Sequence, residues 1–151
     1  MQYWLMKTEP DECSIDDFAN KPSDVIRWDG VRNYQARNFM RDMQIGDEVF
    51  IYHSSCARIG AVGIVRVTQT AYPDPAQFDV NSPYFDSKST KEKPRWDAID
   101  LQFVRKFPQV ISLDKLKSLP ELDKNPLVKK GNRLSVVPFT KAERDAVLAL
   151  V

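Results

Sequence analysis

Two β-rich runs lie close together at residues 49–68, VFIYHSSCARIGAVGIVRVT. Residues 49–53 and 58–68 are rich in branched and aromatic side chains, which are typical of strands. The second run is apolar on both faces, as expected of a strand buried inside a small barrel. The middle of the chain is therefore predicted to form the centre of a β-sheet.

The flanking sequence predicts further strands at residues 2–6, 95–107 and 134–138. Helices are predicted to begin after residues whose side chains can cap them, and the second of these helices runs to Met43. The capping residues are Ser14, Asn33, Ser112 and Thr140. Because short strands and single helices follow one another without regular βαβ alternation, the pattern indicates an α+β fold. Its sheet is predicted to be a small, mostly antiparallel barrel or curled sheet with peripheral helices.

The composition predicts a single domain over residues 1–151. A chain of 151 residues with 42% hydrophobic content can bury about 70% of its unfolded surface without disulfides or metal. The 22 Lys and Arg against 21 Asp and Glu leave a net charge of +1. This balance excludes a polybasic arm or an acidic tail as the functional device, so any nucleic-acid contact has to come from a local patch.

Cysteine, histidine and hydropathy exclude further classes of protein. Two Cys and one His are too few for a disulfide framework or a zinc site, and no metal or other cofactor is expected. The sequence shows no signal-peptide pattern and no apolar run of about 20 residues. A cytoplasmic protein without membrane contact is therefore expected.

The tryptophans differ in their surroundings. Trp96 falls on the opposite face of its strand from Ile99, so either it lines a pocket or a loop folds over it. Trp28 stands beside charged residues and a turn in the sequence RWDG at residues 27–30, which makes it a candidate pocket wall. Trp4 lies in an apolar strand and is expected to pack in the core.

The segment His53-Ser54-Ser55-Cys56 follows a strand and has two interpretations. His53 with Cys56 could form a thiolate pair, and Ser54 or Ser55 could be a nucleophile. The sequence has neither a G-x-S-x-G elbow nor a second histidine, which weighs against covalent catalysis. His53 is therefore interpreted as a neutral, hydrogen-bonding residue at the mouth of a pocket.

Cationic side chains concentrate on the second predicted helix and in two basic stretches, residues 88–95 and 129–133. The first stretch ends a loop that runs from residue 72 to 94, about 20 residues without clear periodicity, and loops of this length are usually functional or mobile. A charge run is most often a solvated loop. Several cations beside an aromatic plane are nevertheless what phosphate contact and base stacking require.

Several long, ordered motifs resemble the EVE domain family over nearly the whole chain. They are YWLMKTEP at 3–10, WDGVRNYQARN at 28–38, YHS at 52–54, AYPDP at 71–75, PRW at 94–96 and RLSV at 133–136. The resemblance implies a PUA-like fold, a small mixed and mostly antiparallel β-barrel with peripheral helices, related to YTH and ASCH domains.

The resemblance further implies a non-catalytic module that reads a modified base in DNA or RNA. The base would be a modified cytosine, such as 5-methyl- or 5-hydroxymethylcytosine, flipped into an aromatic pocket with Trp28 as one wall. The implied ligand-binding residues are Lys7, Thr8, Trp28, Val31, Asn33, His53, Ser54, Trp96, Leu134 and Ser135. The cations expected to contact phosphates are Arg32, Arg37, Arg41, Lys129, Lys130 and Arg133.

Two other function classes remain open at the level of sequence. One is an enzyme acting on RNA or on a modified nucleotide, which would need His53, Glu9 or Asp100 as general base. The other is a small-molecule pocket or a protein-interaction domain without nucleic acid. Turnover of a modified oligonucleotide would identify the enzyme, whereas saturable binding of an unchanged ligand would identify the reader.

Overall fold

The computed structural model describes residues 1–151. In chain order its elements are β1 (Tyr3–Thr8), α1 (Ile15–Ala19), β2 (Val25–Trp28), α2 (Tyr34–Asp42), β3 (Glu48–His53), β4 (Gly60–Pro73), β5 (Asp97–Ser112), α3 (Leu113–Lys117), β6 (Val136–Phe139) and α4 (Lys141–Leu148). Short 3-10 turns lie at Pro75–Phe78, Pro120–Leu122 and Pro126–Val128. No helix reaches the length and apolar character that crossing a membrane requires.

The predicted helix starts are confirmed. Ser14, Asn33, Ser112 and Thr140 each accept a hydrogen bond from a backbone N–H in the first turn of their helix. These bonds satisfy donors that would otherwise lack a partner at a helix start. Ser14 and Thr140 also complete capping boxes with the acidic residue three positions later.

The six strands form one sheet in the order β2-β5-β4-β3-β1-β6. Every neighbouring pair is antiparallel except β1 and β3, which run parallel. The mixed, mostly antiparallel α+β fold is thus confirmed. A closed barrel is not confirmed, because β2 and β6 are the two edges of the sheet and no pairing joins them.

Strand bounds depart most from the sequence prediction in three places, while the bounds of β1 and β6 shift by one or two residues. Strand β2 was missed: it has four residues at the edge of the sheet, and Val25 and Arg27 are exposed. The strand predicted at 58–68 continues to Pro73, and the one predicted at 95–107 runs from Asp97 to Ser112. Because β4 and β5 pair along most of their lengths, each is held in extended conformation beyond its own apolar run.

The core is one cluster of 31 buried residues, to which the sheet and all four helices contribute. Helix α2 contributes Ala36 and Met40 from its apolar stripe. Trp4 is 4% exposed, and its Nε1 donates to the Asp47 carboxylate over 3.1 Å. Asp47 is buried and also accepts the backbone N–H groups of Gln2 and Gln44, so its charge is well satisfied. The expected core position of Trp4 is confirmed.

Candidate ligand-binding cleft

A cleft of about 750 Å³ opens where β1 and β2 end and the loop after β4 approaches them. Residues from both ends of the chain reach it because β1 pairs with β3 on one side and β6 on the other. The Ser54 N–H donates to the Thr8 carbonyl over 2.9 Å, and the Lys7 N–H donates to the Ser135 carbonyl over 2.8 Å. The predicted ligand-binding residues that line the cleft are Lys7, Thr8, Trp28, Val31, Ser54 and Ser135.

Lys7 brings a positive charge into this cleft. Its side chain is half-buried, and burial lowers its pKa. The ammonium lies 5.8 Å from the centroid of the Tyr52 ring and makes no ion pair within the protein. A partly desolvated cation without an anion is suited to a ligand oxygen or ring nitrogen.

Trp28 stands at the end of β2, where it pairs with Ile99 of β5. Its side chain is 8% exposed and belongs to the core cluster while also lining the cleft. Trp28 is thus the last residue of β2, and the turn that the sequence places beside it begins after it. The indole is anchored by the core, and only a small part of it faces the cleft.

Four predicted ligand-binding residues lie outside the cleft: Asn33, His53, Trp96 and Leu134. The Asn33 side chain caps α2 by accepting the Ala36 N–H over 3.0 Å. Leu134 is packed in the core cluster. Trp96 precedes β5, its ring stacks on Tyr34 with centroids 4.7 Å apart, and its Nε1 donates to Asp86 over 2.8 Å. Of the two interpretations of Trp96, the structure shows the one in which a loop folds over it.

His53 lines a separate cavity of about 860 Å³ on the other side of the loop that follows β3. Its Nε2 accepts the N–H of Ile15 over 3.1 Å, so the imidazole holds the start of α1. Burial lowers the pKa of His53, while the nearby Asp16 and Asp17 carboxylates oppose this shift. The neutral, hydrogen-bonding state predicted for His53 agrees with this geometry, but its hydrogen bond is structural.

Most of the predicted phosphate-binding cations already have partners in the protein. Arg32 donates to Asp74 and to the Tyr84 carbonyl, and Arg37 donates to the Arg95 carbonyl. Arg41 pairs with Asp97, and Lys129 donates to the Asp123 carbonyl. Exposed cations without such bonds are Lys130 and Arg133, and Arg133 also lines the cleft. The phosphate role of all six stays a prediction, but the internal bonds of Arg32, Arg37, Arg41 and Lys129 weigh against it for these four.

The cleft also has an acidic and aromatic part, of which the sequence analysis named only Glu9, as a candidate general base. It missed the other members, which are Glu12, Cys13, Asp29 and Tyr84. The pKa of Tyr84 is raised to about 12, mostly by burial and to a smaller extent by its hydrogen bond to Glu12 and by nearby carboxylates. Tyr84 lies in the loop predicted at residues 72–94, which the sequence analysis singled out only for its length. The aromatic pair in the sequence PYF at 83–85 could have pointed to this residue. Glu9 directly follows the Lys7-Thr8 motif, and Glu12 comes after Pro10 and Asp11.

The groups that could support catalysis are dispersed. Burial and the carboxylates of Asp17, Asp29 and Glu12 raise the pKa of Cys13 to about 11, so its thiol is protonated at neutral pH and a poor nucleophile. Of the three candidate general bases only Glu9 lines the cleft, because Asp100 accepts the Tyr72 hydroxyl on β5 and His53 binds α1. No cluster of three or more metal-ligating side chains is present.

Comparisons with known proteins add a second line of observation. The family model described as EVE domain matches residues 2–150. Thymocyte nuclear protein 1 of Rattus norvegicus is 43% identical over 98% of this chain and 73% of its own length. The solved structure of a Pseudomonas syringae protein is 53% identical with a TM-score of 0.95, covering 98% of both chains.

A further solved structure is that of the human THYN1 protein in complex with 5-methylcytosine-containing DNA. It is 41% identical to this chain, with a TM-score of 0.89, and the match covers 99% of this chain and 97% of that one. A YTH domain of Zygosaccharomyces rouxii has a TM-score of 0.54 at 11% identity. That likeness concerns the fold alone and agrees with PUA-like architecture.

Proposed function

The chain belongs to the EVE domain family, and we propose that it is a non-catalytic module that binds nucleic acid carrying a modified base. The family match confirms the resemblance seen in the sequence. The proposal rests on the cleft, which combines a tryptophan, a partly buried cation and small polar side chains around a volume of about 750 Å³. The DNA complex of the human relative supports 5-methylcytosine in DNA as the first ligand to test.

The cleft supplies the interactions that a flipped base requires. Flipping costs a few kcal/mol, and stacking on an aromatic ring returns roughly 1–3 kcal/mol per base. Trp28 provides an aromatic surface, and Lys7, Thr8 and Ser54 provide groups for the polar edge of the base. A methyl group in an apolar niche adds about 0.8 kcal/mol, which corresponds to roughly fourfold selectivity over the unmodified base.

The test is a binding screen with duplex DNAs that differ in a single cytosine: unmodified, 5-methyl or 5-hydroxymethyl. RNA of the same sequence with the same modifications tests the second class of ligand. We expect saturable binding by fluorescence anisotropy, with a modified DNA preferred about fourfold and recovered unchanged by mass spectrometry. Equal affinity for modified and unmodified strands would contradict the proposal, and a modified strand converted to product would identify an enzyme.

A further inference from the structure

We propose that Tyr84 closes the cleft over the bound base as its second aromatic surface, and that Arg32 and Asp74 are positioning residues for Tyr84. This inference rests on the proposed function. The sequence indicates Trp28 as one wall of the pocket, and Tyr84 would form the opposite wall. Arg32 would then position Tyr84 rather than contact a phosphate.

The backbone of Tyr84 is held firmly. Its carbonyl accepts two hydrogen bonds from Arg32, over 3.1 Å from Nε and 2.8 Å from Nη2. Arg32 Nη1 in turn donates to Asp74 over 2.9 Å, and the Asp74 side chain is fully buried. Asp74 also accepts the Gly30 N–H over 2.9 Å. The loop that carries Tyr84 is thus tied to the turn that follows Trp28.

The ring of Tyr84 lies directly on the backbone of that turn. A Cβ atom added to Gly30 would stand 2.8 Å from two ring carbons, and Gly30 has a φ of +79°. The turn therefore requires glycine for both its conformation and the close approach of the ring. The Arg32 guanidinium carbon lies 5.6 Å from the ring centroid. Tyr84 is only partly buried and lines the cleft, so the part of the ring that Gly30 and Arg32 leave uncovered is the surface that a base can contact.

The far end of the ring is held by one bond only. The Tyr84 hydroxyl donates to the exposed Glu12 over 2.8 Å. This bond spans the mouth of the cleft, between the loop after β4 and the segment after β1. A single solvent-exposed hydrogen bond is a weak constraint, so the ring can release Glu12, admit a base and close again while its backbone stays in place.

A base in the cleft needs a second aromatic surface because Trp28 is 92% buried against the protein. The small part of the indole that faces the cleft offers limited stacking, whereas recovery of the cost of flipping needs a well-stacked base. Arg32 is suited to positioning because the contacts of its guanidinium are taken up inside the protein.

The decisive variants are Tyr84→Leu, which keeps an apolar side chain but loses the aromatic face, and Tyr84→Phe, which loses only the bond to Glu12. We expect Tyr84→Leu to weaken binding of 5-methylcytosine DNA by roughly 5- to 150-fold, the range for one stacked base. We expect Tyr84→Phe to stay within about threefold of the wild type. The control is Phe85→Leu, an exposed aromatic neighbour that does not line the cleft; we expect it to bind as the wild type does.

Arg32→Gln separates positioning from phosphate contact. If Arg32 is a positioning residue, Arg32→Gln is expected to lower the affinity for DNA but to leave the slope of log Kd against log salt unchanged. A direct phosphate contact would lower the slope by about 0.9, and this result would overturn the role given to Arg32.

Wild-type affinity in Tyr84→Leu, with an unchanged urea midpoint, would overturn the role of Tyr84 and leave the proposed function standing. Equal losses in Tyr84→Leu and Phe85→Leu would overturn it too, because the loop as a whole would then be responsible. If the proposed function itself is wrong, the result differs, because the wild-type protein would then bind none of the modified strands.

Discussion

Trp28 lines the cleft, whereas Trp96 lies under a loop. We expect Trp28→Leu to weaken binding of a modified-base DNA by about 1 kcal/mol, the low end of the range for one stacked base, because little of the indole faces the cleft. The smaller side chain also leaves space in the core, so urea unfolding should show a loss of stability. Trp96→Leu is the matched control. It should lose about 0.5–1.5 kcal/mol of aromatic pairing with Tyr34 in urea unfolding yet bind with unchanged affinity. A larger loss of affinity in Trp96→Leu than in Trp28→Leu would place the base elsewhere.

His53 predicts a dependence of stability on pH. Burial lowers its pKa in the folded protein, so folding favours the neutral imidazole, whose Nε2 accepts from Ile15. The stabilisation is complete above the unfolded pKa of about 6.5 and is lost as pH falls through the folded pKa. Asp16 and Asp17 oppose the shift and Lys106 reinforces it.

His53→Gln keeps an acceptor for the Ile15 N–H but does not titrate in this range. Urea midpoints of the wild type and this variant should therefore converge as pH falls from 7 to 5. A constant difference across that range would show that His53 has the same pKa in the folded and unfolded chains.

The family resemblance, rather than the apolar pattern, assigned Lys7, Thr8 and Ser54 to the site, through the motifs YWLMKTEP and YHS. The structure places all three at the cleft, where β1 ends and just after β3 ends. Tyr84 reaches the cleft only because a long loop folds back onto Gly30, and no periodicity records such a contact. His53 and Trp96 were predicted to line the cleft but do not. A strand pattern shows that a side chain lies off the apolar face of its strand, but it does not show which distant segment packs against that side chain.

At the level of elements, helix starts were predictable and strand lengths were not. A cap is a bond between residues three apart, as between Thr140 and Glu143, so the sequence alone contains it. Strand β2 exists because it pairs with β5 at the edge of the sheet. That partner is distant in the chain, and the four residues of β2 carry little pattern of their own.

Asp74 anchors the start of the loop after β4, because its side chain is fully buried and binds Arg32, Gly30 and Ala76. We expect Asp74→Ala to lower the free energy of unfolding by about 3–5 kcal/mol, since it leaves a partly buried cation and two backbone donors unpaired. Asp79→Ala is the control: the side chain of this exposed residue of the same loop accepts only from the nearby Asn81 N–H, so its loss should change stability by about 0.5 kcal/mol or less. Similar unfolding curves for the two variants would show that Asp74 does not anchor the loop.

For the whole molecule, a net charge of +1 makes affinity for nucleic acid depend on a few cations near the cleft. We expect Lys130→Gln, which removes an exposed cation without a protein partner, to reduce the salt slope of DNA binding by about 0.9. Arg41→Gln removes the same charge but breaks the ion pair with Asp97. It should lower stability and leave the slope unchanged, and a slope that fell equally in both variants would instead indicate a response to net charge alone.

The position of β1 in the sheet has a consequence for the order of folding. β1 is an interior strand, paired with β3 and with β6, whose residues Val136–Phe139 are translated long after it. On the ribosome, the apolar strand that contains Trp4 and Leu5 therefore has one hydrogen-bonding edge open until β6 has emerged. Open edges of this kind invite pairing with other chains, and contacts between distant segments slow folding. Nascent chains stalled before residue 136 are expected to need chaperones, and a circular permutant that synthesises β1 directly after α4 should escape that requirement.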